Sequence, residues 1–174
     1  MQSGSDKVLK DMNRKYNKEQ YLEKARKLKE EIPGIAISTD IIVGYPTETE
    51  EDFQDTLDVC RKVGFDTAFT FKYSPRPKTM AAKLDPIDDK IVQDRFDRLL
   101  DTLYPIFNEK NKEYIGKVVD VLLESESKNN KDVLTGRTDT YKLVHVKADK
   151  KLIGQIVKVK ITDNTSFTIS GHLV

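Results

Sequence analysis

The chain has 174 residues, 34% charged and 37% hydrophobic, with 30 Lys and Arg against 29 Asp and Glu, one cysteine and no tryptophan. A formal net charge of +1 excludes a polybasic, arm-like nucleic-acid binder. The lone cysteine excludes an internal disulfide framework, and it cannot anchor a structural zinc site or an iron–sulfur cluster. No apolar run approaches the roughly 18–20 residues that span a bilayer, and the opening Met1-Gln2-Ser3-Gly4-Ser5-Asp6 has no signal-peptide pattern. The expectation is a cytoplasmic protein with no membrane partner.

Gln2-Ser3-Gly4-Ser5 reads as a turn leaving a strand, with Ser5 capping the helix that follows. Residues 18–31 place Tyr21, Leu22, Ala25 and Leu28 on one helical face, with Ile32 next and Pro33-Gly34 as the stop. Residues 35–43 are β-branched and apolar on both faces, as in a parallel strand covered by helices. Gly44-Tyr45-Pro46-Thr47 breaks that run, and Thr49 with Asp52 makes a helix cap backed by Glu48, Glu50 and Glu51. Phe53, Leu57 and Cys60 mark the buried face of this helix, which ends near Val63-Gly64 before a second strand at residues 67–73. Two strands joined through a helix imply a right-handed crossover and a parallel pair.

A proline-punctuated loop follows from Ser74 to Asp85. Asp85 as cap, Pro86 at the first position and Asp88 three residues on predict a long helix. Its apolar face is Ile91 or Val92, Phe96, Leu99, Leu103 and Phe107, and Pro105 predicts a kink or break. Beyond it the hydrophobic period changes from helix-like to strand-like. Strands are expected at Val119, Val121 and Leu123, at residues 133–138, 142–147, 156–161 and 166–173, with turns at Asn129-Asn130 and Asp149-Lys150.

The charge divides at the same place. Residues 1–114 carry 20 basic and 22 acidic side chains, a net of −2, whereas residues 115–174 carry 10 and 7, a net of +3. The expected architecture is therefore α/β over residues 1–114, a partial β/α barrel with parallel strands, and all-β over 115–174. The second unit is a small five-stranded barrel of OB or SH3-like kind. Two parallel strands cannot close a β/α barrel, which leaves sheet edges bare. The chain is thus expected to be the C-terminal part of a longer protein. Ile41, Ile42, Val43 and Phe69 are expected to lack cover, so that edge-to-edge pairing or swapping could give a homodimer.

Several stretches resemble one known family. Gln2-Ser3-Gly4-Ser5-Asp6 followed by Met12-Asn13-Arg14-Lys15-Tyr16, the run from Thr39 to Phe53, and Phe69-Thr70-Phe71-Lys72-Tyr73-Ser74-Pro75-Arg76-Pro77 are similar to segments of the radical S-adenosylmethionine methylthiotransferases. Thr47 and Lys78 stand where that pattern usually has glycine. Gly136-Arg137-Thr138-Asp139-Thr140-Tyr141-Lys142-Leu143-Val144 resembles the GRTxTNKLV segment of the tRNA-modifying branch.

The resemblance implies that the first unit is a remnant of the radical SAM barrel and the second a TRAM domain binding a tRNA anticodon stem-loop. It implies a transferase that adds a methylthio group to C2 of isopentenylated adenosine beside the anticodon. A sister branch modifies an aspartate of a ribosomal protein. The parent enzyme would use S-adenosylmethionine and two 4Fe–4S clusters, whose cysteines lie in missing N-terminal domains of the same protein. No cofactor is expected on this chain, which should be inactive alone. By the same resemblance, Gln2 and Ser3 would meet the ribose, and the strand end from Asp40 to Gly44 the adenine. Arg14 would reach the methionine carboxylate as a bidentate partner, or is a surface arginine at a helix end. Asp40 is a functional carboxylate or a strand residue needing a partner. Gly44 brings backbone close to a base or simply turns the chain. Cys60 reads as a core residue.

For RNA, Lys158 and Lys160 alternate outward, with Arg137 and Lys142 on neighbouring strands and Arg76 between two prolines. Such cations track phosphates, and Tyr141 or Phe167 could stack a base. The competing readings are a solvated barrel surface and a free-standing RNA-binding module whose helical half is an interaction platform.

Overall fold

A computed structural model describes residues 1–128 and 130–174, so Asn129 of the expected Asn129-Asn130 turn lies outside the described residues. Two compact units divide between Ile106 and Phe107.

The first unit begins with α1 (Asp6–Asp11), whose N-cap Ser5 accepts a hydrogen bond from the Val8 amide, as expected. Helix α2 (Lys18–Glu31) opens with a reciprocal capping box between Asn17 and Gln20. Only Ala25 of its expected apolar face is buried, and Leu28 and Ile32 are exposed. Tyr21 and Leu22 of the same face are half-buried, and the Tyr21 ring centre lies 6.4 Å from that of Phe65. Lys18 makes ion pairs to Asp55 at 2.8 Å and Asp58 at 2.9 Å.

Strand β1 (Ser38–Val43) starts later than expected, since residues 35–37 are not strand. After it come α3 (Glu50–Val63), capped by Thr49 and stopped by left-handed Gly64, and β2 (Thr67–Lys72). The two strands pair in parallel, Ser38 with Thr67 through Val43 with Lys72. The expected parallel pair joined through a helix is therefore present. On the other side of β1 the first residues run alongside, the Ile42 amide donating to the Gln2 carbonyl at 2.9 Å. Ile41 and Val43 are fully buried, contrary to the expectation that they lack cover. Phe69 is 61% exposed, in agreement with it, and Phe71 on the same strand is 52% exposed.

Helix α4 (Asp89–Lys112) begins after Asp88, not at Pro86. The Asp88 side chain accepts from the Lys90 amide at 2.8 Å and its carbonyl from Val92 at 3.0 Å, so Asp88 performs the capping assigned to Asp85. The helix is continuous through Pro105 rather than broken there. Val92, Leu99, Leu103 and Phe107 are buried as expected, whereas Ile91 is exposed.

The second unit is a closed barrel of β3 (Val118–Glu126), β4 (Val133–Arg137), β5 (Leu143–Lys147), β6 (Ile156–Asn164) and β7 (Thr168–Leu173) in the order β3-β4-β5-β7-β6. All neighbours are antiparallel except β5 and β7. Closure removes the edges that a five-stranded sheet would otherwise expose. Alternation fills the inside with Val121, Leu123, Leu134, Val144, Val146, Val159, Ile161 and Ile169. The last turns of α4 are tied to this unit: Asn111 donates to the Thr165 carbonyl at 2.9 Å, and Asn164 donates to the Asn108 carbonyl at 3.1 Å. Those bonds explain why the division falls within the helix.

Candidate functional site

Two surfaces gather the residues singled out above, one in each unit. In the first, three loops leave the same side of the sheet, because β1 and β2 are parallel and the residue 1–3 segment flanks β1. Gly4 lets the first loop press on α3, where an added Cβ would lie 2.4 Å from the Asp55 carbonyl oxygen. Ser5 donates to Asp52 at 2.5 Å, Lys7 reaches Asp52 at 3.0 Å, and Thr49 donates its amide to the same carboxylate at 2.9 Å. Burial raises the Asp52 pKa, but these donors together outweigh it and hold the carboxyl at about 2. Asp52 is the pin between the first and second loops.

Gly44 sits at φ 80°, and an added Cβ would lie 2.7 Å from a Val92 methyl. Its amide donates to Glu48 at 3.1 Å, and Arg95 of α4 donates to the same carboxylate at 2.9 Å. Both side chains are buried, 1% and 7% exposed. Burial raises the Glu48 pKa despite the guanidinium beside it. Tyr45 donates to the Asp11 carbonyl at 3.0 Å and meets the Tyr73 ring edge-on at 5.3 Å. The second and third loops are thereby packed together over Val8 and Ala81.

The expected nucleoside-facing residues fall into two groups. Gln2 accepts from the Tyr16 hydroxyl at 3.0 Å, and Asp40 is exposed. Asp40 shares the open sheet face with Ile42, Phe69 and Phe71 through the parallel register. Arg14 is exposed, and both it and Asp40 act electrostatically on the Met1 ammonium, whose pKa burial lowers. Arg14 and Asp40 are thus both near the Met1 ammonium, beside which Gln2 follows in the chain. Ser3 and Gly44 do not join them. Ser3 is fully buried with its hydroxyl 3.3 Å from that of Thr56, and Gly44 makes room for Val92. Both support the loops from beneath.

Cys60 is fully buried on α3, and burial pushes its thiol up to about 12. A buried, protonated single thiol is the wrong donor for an iron–sulfur cluster, which needs several converging thiolates. Among the described residues no group of three or more His, Cys, Asp and Glu could hold a metal ion. The chain's own residues therefore do not fit a cluster.

The second surface is the outer face of the barrel. Arg137 on β4 pairs across to Leu122 on β3, which pairs across to Ile156 on β6. Beside that row Asp120 faces Lys158 at 3.0 Å, and Val118 faces Lys160. Leu122 and Ile156 are 42% and 70% exposed, so the face mixes apolar and cationic groups. Lys142 does not belong to it: this side chain is buried, with Nζ 5.8 Å from the Tyr114 ring centre. Arg76 is exposed on the loop after β2, where Lys78 adopts φ 70° at the position usually held by glycine in the resembled pattern. A further depression of about 430 Å³ is lined by Lys131, Asp132, Lys147, Ala148, Asp149 and Lys150.

The Glu48–Arg95 pair and the Asp52 pin lie outside what the sequence pattern singles out. Arg95 had a visible signal, since it sits between Val92 and Leu99 on the buried stripe of α4 and an arginine there needs a partner. Asp52 was assigned only its local cap, because the approach of Ser5 and Lys7 is tertiary.

A parallel β/α unit with loops gathered at the strand ends, followed by a closed five-stranded barrel, defines a bipartite class. The Radical SAM superfamily profile matches residues 1–60, and the TRAM domain profile matches residues 112–174. One profile falls in each of the two units, and curated relatives match the chain along its whole length. It is 59% identical over 174 residues to the tRNA-2-methylthio-N(6)-dimethylallyladenosine synthase of Finegoldia magna, covering 99% of this chain and 38% of that protein. The proteins of the same description from Bacillus mycoides and Clostridium perfringens are 53% and 50% identical, with all of this chain matched to 34% and 39% of theirs. The chain thus spans little more than a third of the length of the curated relatives it matches.

Proposed function

We propose that this chain serves a tRNA methylthiotransferase acting on C2 of an isopentenylated adenosine. The barrel of β3–β7 holds the tRNA anticodon stem-loop, and the strand ends of the first unit line one side of the nucleoside-binding face. The observation that carries the reading is the outer face of the barrel, where Arg137, Lys158 and Lys160 stand among exposed Leu122, Ile156 and Val118. Cations spaced along a strand meet successive phosphates, and apolar groups between them meet sugars and bases. The net of +3 over residues 115–174 has the matching sign. Arg76 adds a cation on a loop stiffened by Pro75 and Pro77.

In the first unit Gln2, Arg14 and Asp40 are the groups assigned to S-adenosylmethionine in this reading. Arg14 suits its carboxylate, while Gln2 and Asp40 suit hydroxyls or ring nitrogens. Ser3 and Gly44 act by holding the loops in shape. When bound, S-adenosylmethionine supplies the adenosyl and methyl chemistry of this family. The cluster chemistry belongs to polypeptide other than these residues, because Cys60 is a single buried thiol.

The test is a salt titration of the full chain against an unmodified tRNA transcript, followed by fluorescence anisotropy. Binding should weaken linearly in log–log form as salt rises, with a slope set by the few phosphates neutralised. An absence of binding at low salt, or an affinity indifferent to salt, overturns the reading.

A further inference from the structure

The turn between β4 and β5 holds an aromatic residue where the backbone disfavours one. The Thr138 amide donates to the Lys142 carbonyl at 3.1 Å and the Tyr141 amide to the Thr138 carbonyl at 3.0 Å. Tyr141 occupies the left-handed position of this tight hairpin connection, with φ 66°. Glycine or asparagine normally fills that position, since a larger side chain is strained there. Little burial offsets the strain within the fold, because Tyr141 is 73% exposed and its ring rests on one side chain, Arg137. Strain kept at an exposed side chain points to a role in contact with something else.

The surroundings say what kind of contact. The Arg137 guanidinium lies 4.1 Å from the Tyr141 ring centre, and its Nη1 donates to the Tyr141 carbonyl at 3.3 Å. Glu124 holds the same guanidinium at 3.5 Å from its Nε. The ring is thus backed by a fixed cation, which fixes its plane and leaves most of its surface to solvent. Arg137 is also the first member of the row that continues through Leu122 and Ile156. A flat π surface, a cation beneath it, an apolar floor beside it and lysines flanking that floor match one ligand chemistry: an unpaired nucleobase on a phosphate backbone.

We propose that Tyr141, positioned by Arg137, stacks one unpaired base of the bound RNA and so makes the barrel prefer loops to duplex. This rests on the RNA-binding reading of the barrel, which it deepens from charge to selectivity. Duplex RNA offers phosphates but no free base face, so the Tyr141 contribution vanishes on it.

The experiment compares the full chain with Tyr141→Asn and Tyr141→Phe, each titrated with a short RNA hairpin bearing an open loop and with a blunt duplex of the same stem. Tyr141→Asn relieves the backbone strain, so it should melt no lower than the parent. It should nevertheless bind the hairpin about 5- to 100-fold more weakly, the range for losing one aromatic–base stack. Its affinity for the duplex should be unchanged, and Tyr141→Phe should retain the parent's preference for the hairpin. Equal losses on hairpin and duplex, or no loss on the hairpin, overturn the stacking role while leaving RNA binding intact. A parent chain that binds neither RNA at low salt overturns both readings together.

Discussion

At the scale of single residues, the first unit depends on polar side chains that reach beyond their own segment. Asp52 is both the local cap partner of Thr49 and the acceptor for Ser5 and Lys7. Its carboxyl is held at about 2 against an ordinary 3.8, so folding favours the charged form. That contribution is complete above the ordinary value and is lost as pH falls through about 2. Replacing Asp52 with Asn should cost about 1–3 kcal/mol at neutral pH, as expected for a broken buried network. It should also flatten the acid limb of a plot of urea midpoint against pH; an unchanged acid limb contradicts the assignment. Lys78 and Tyr141 show the opposite economy, each adopting a positive φ where the resembled pattern has glycine or asparagine. Lys78 bears a local conformational strain of about 1 kcal/mol relative to glycine.

At the scale of elements, α4 is fastened to the loop after β1 by one buried ion pair. Removing a partner from such a pair leaves a charge without solvent or counterion, which costs more than the pair itself contributes. Arg95→Met should therefore destabilise the chain by about 3–5 kcal/mol. Glu48 is already biased towards its neutral form by burial. A raised pKa favours folding below the ordinary carboxyl range and loses that advantage as pH rises. The deficit of Arg95→Met should accordingly be smaller at pH about 5 than at pH about 8, and Glu48→Gln added to it should recover part of the loss. Chemical denaturation at the two pH values measures both; equal deficits would remove the buried carboxylate from the explanation.

At the scale of the whole molecule, the two units differ in how complete they are. The barrel closes upon itself, and every strand has two neighbours. The parallel pair does not close: β2 pairs only with β1 among the described residues and carries exposed Phe69 and Phe71 on the face shared with Asp40. Exposed aromatic side chains beside an unpaired strand edge favour association. The isolated chain should elute with a concentration-dependent size, and replacing Phe69 and Phe71 together with Thr should shift it towards monomer. A monomer at all concentrations with strongly protected β2 amides would argue that this face needs no partner. No helix among the described residues is long and apolar enough to cross a membrane.

Much of this was legible in the chain itself. The Thr49 cap, the alternation of β3 and β6, the burial of Phe53, Leu57 and Cys60 and the parallel pair all follow from short-range pattern and residue type. So does the resemblance to a family, because its motifs are runs of adjacent residues. What the sequence could not state is which polar groups meet across the fold. Ser3 reads as a ligand contact in line but is turned into α3, and Lys142 reads as an outward lysine but is buried near Tyr114. Glu48 reads as a helix-dipole partner, yet it binds Arg95 far along the chain. Local rules set the elements because their energies depend on neighbours a few residues away. Only the tertiary structure decided the site, because partners brought together by chain crossing leave no periodicity in the sequence.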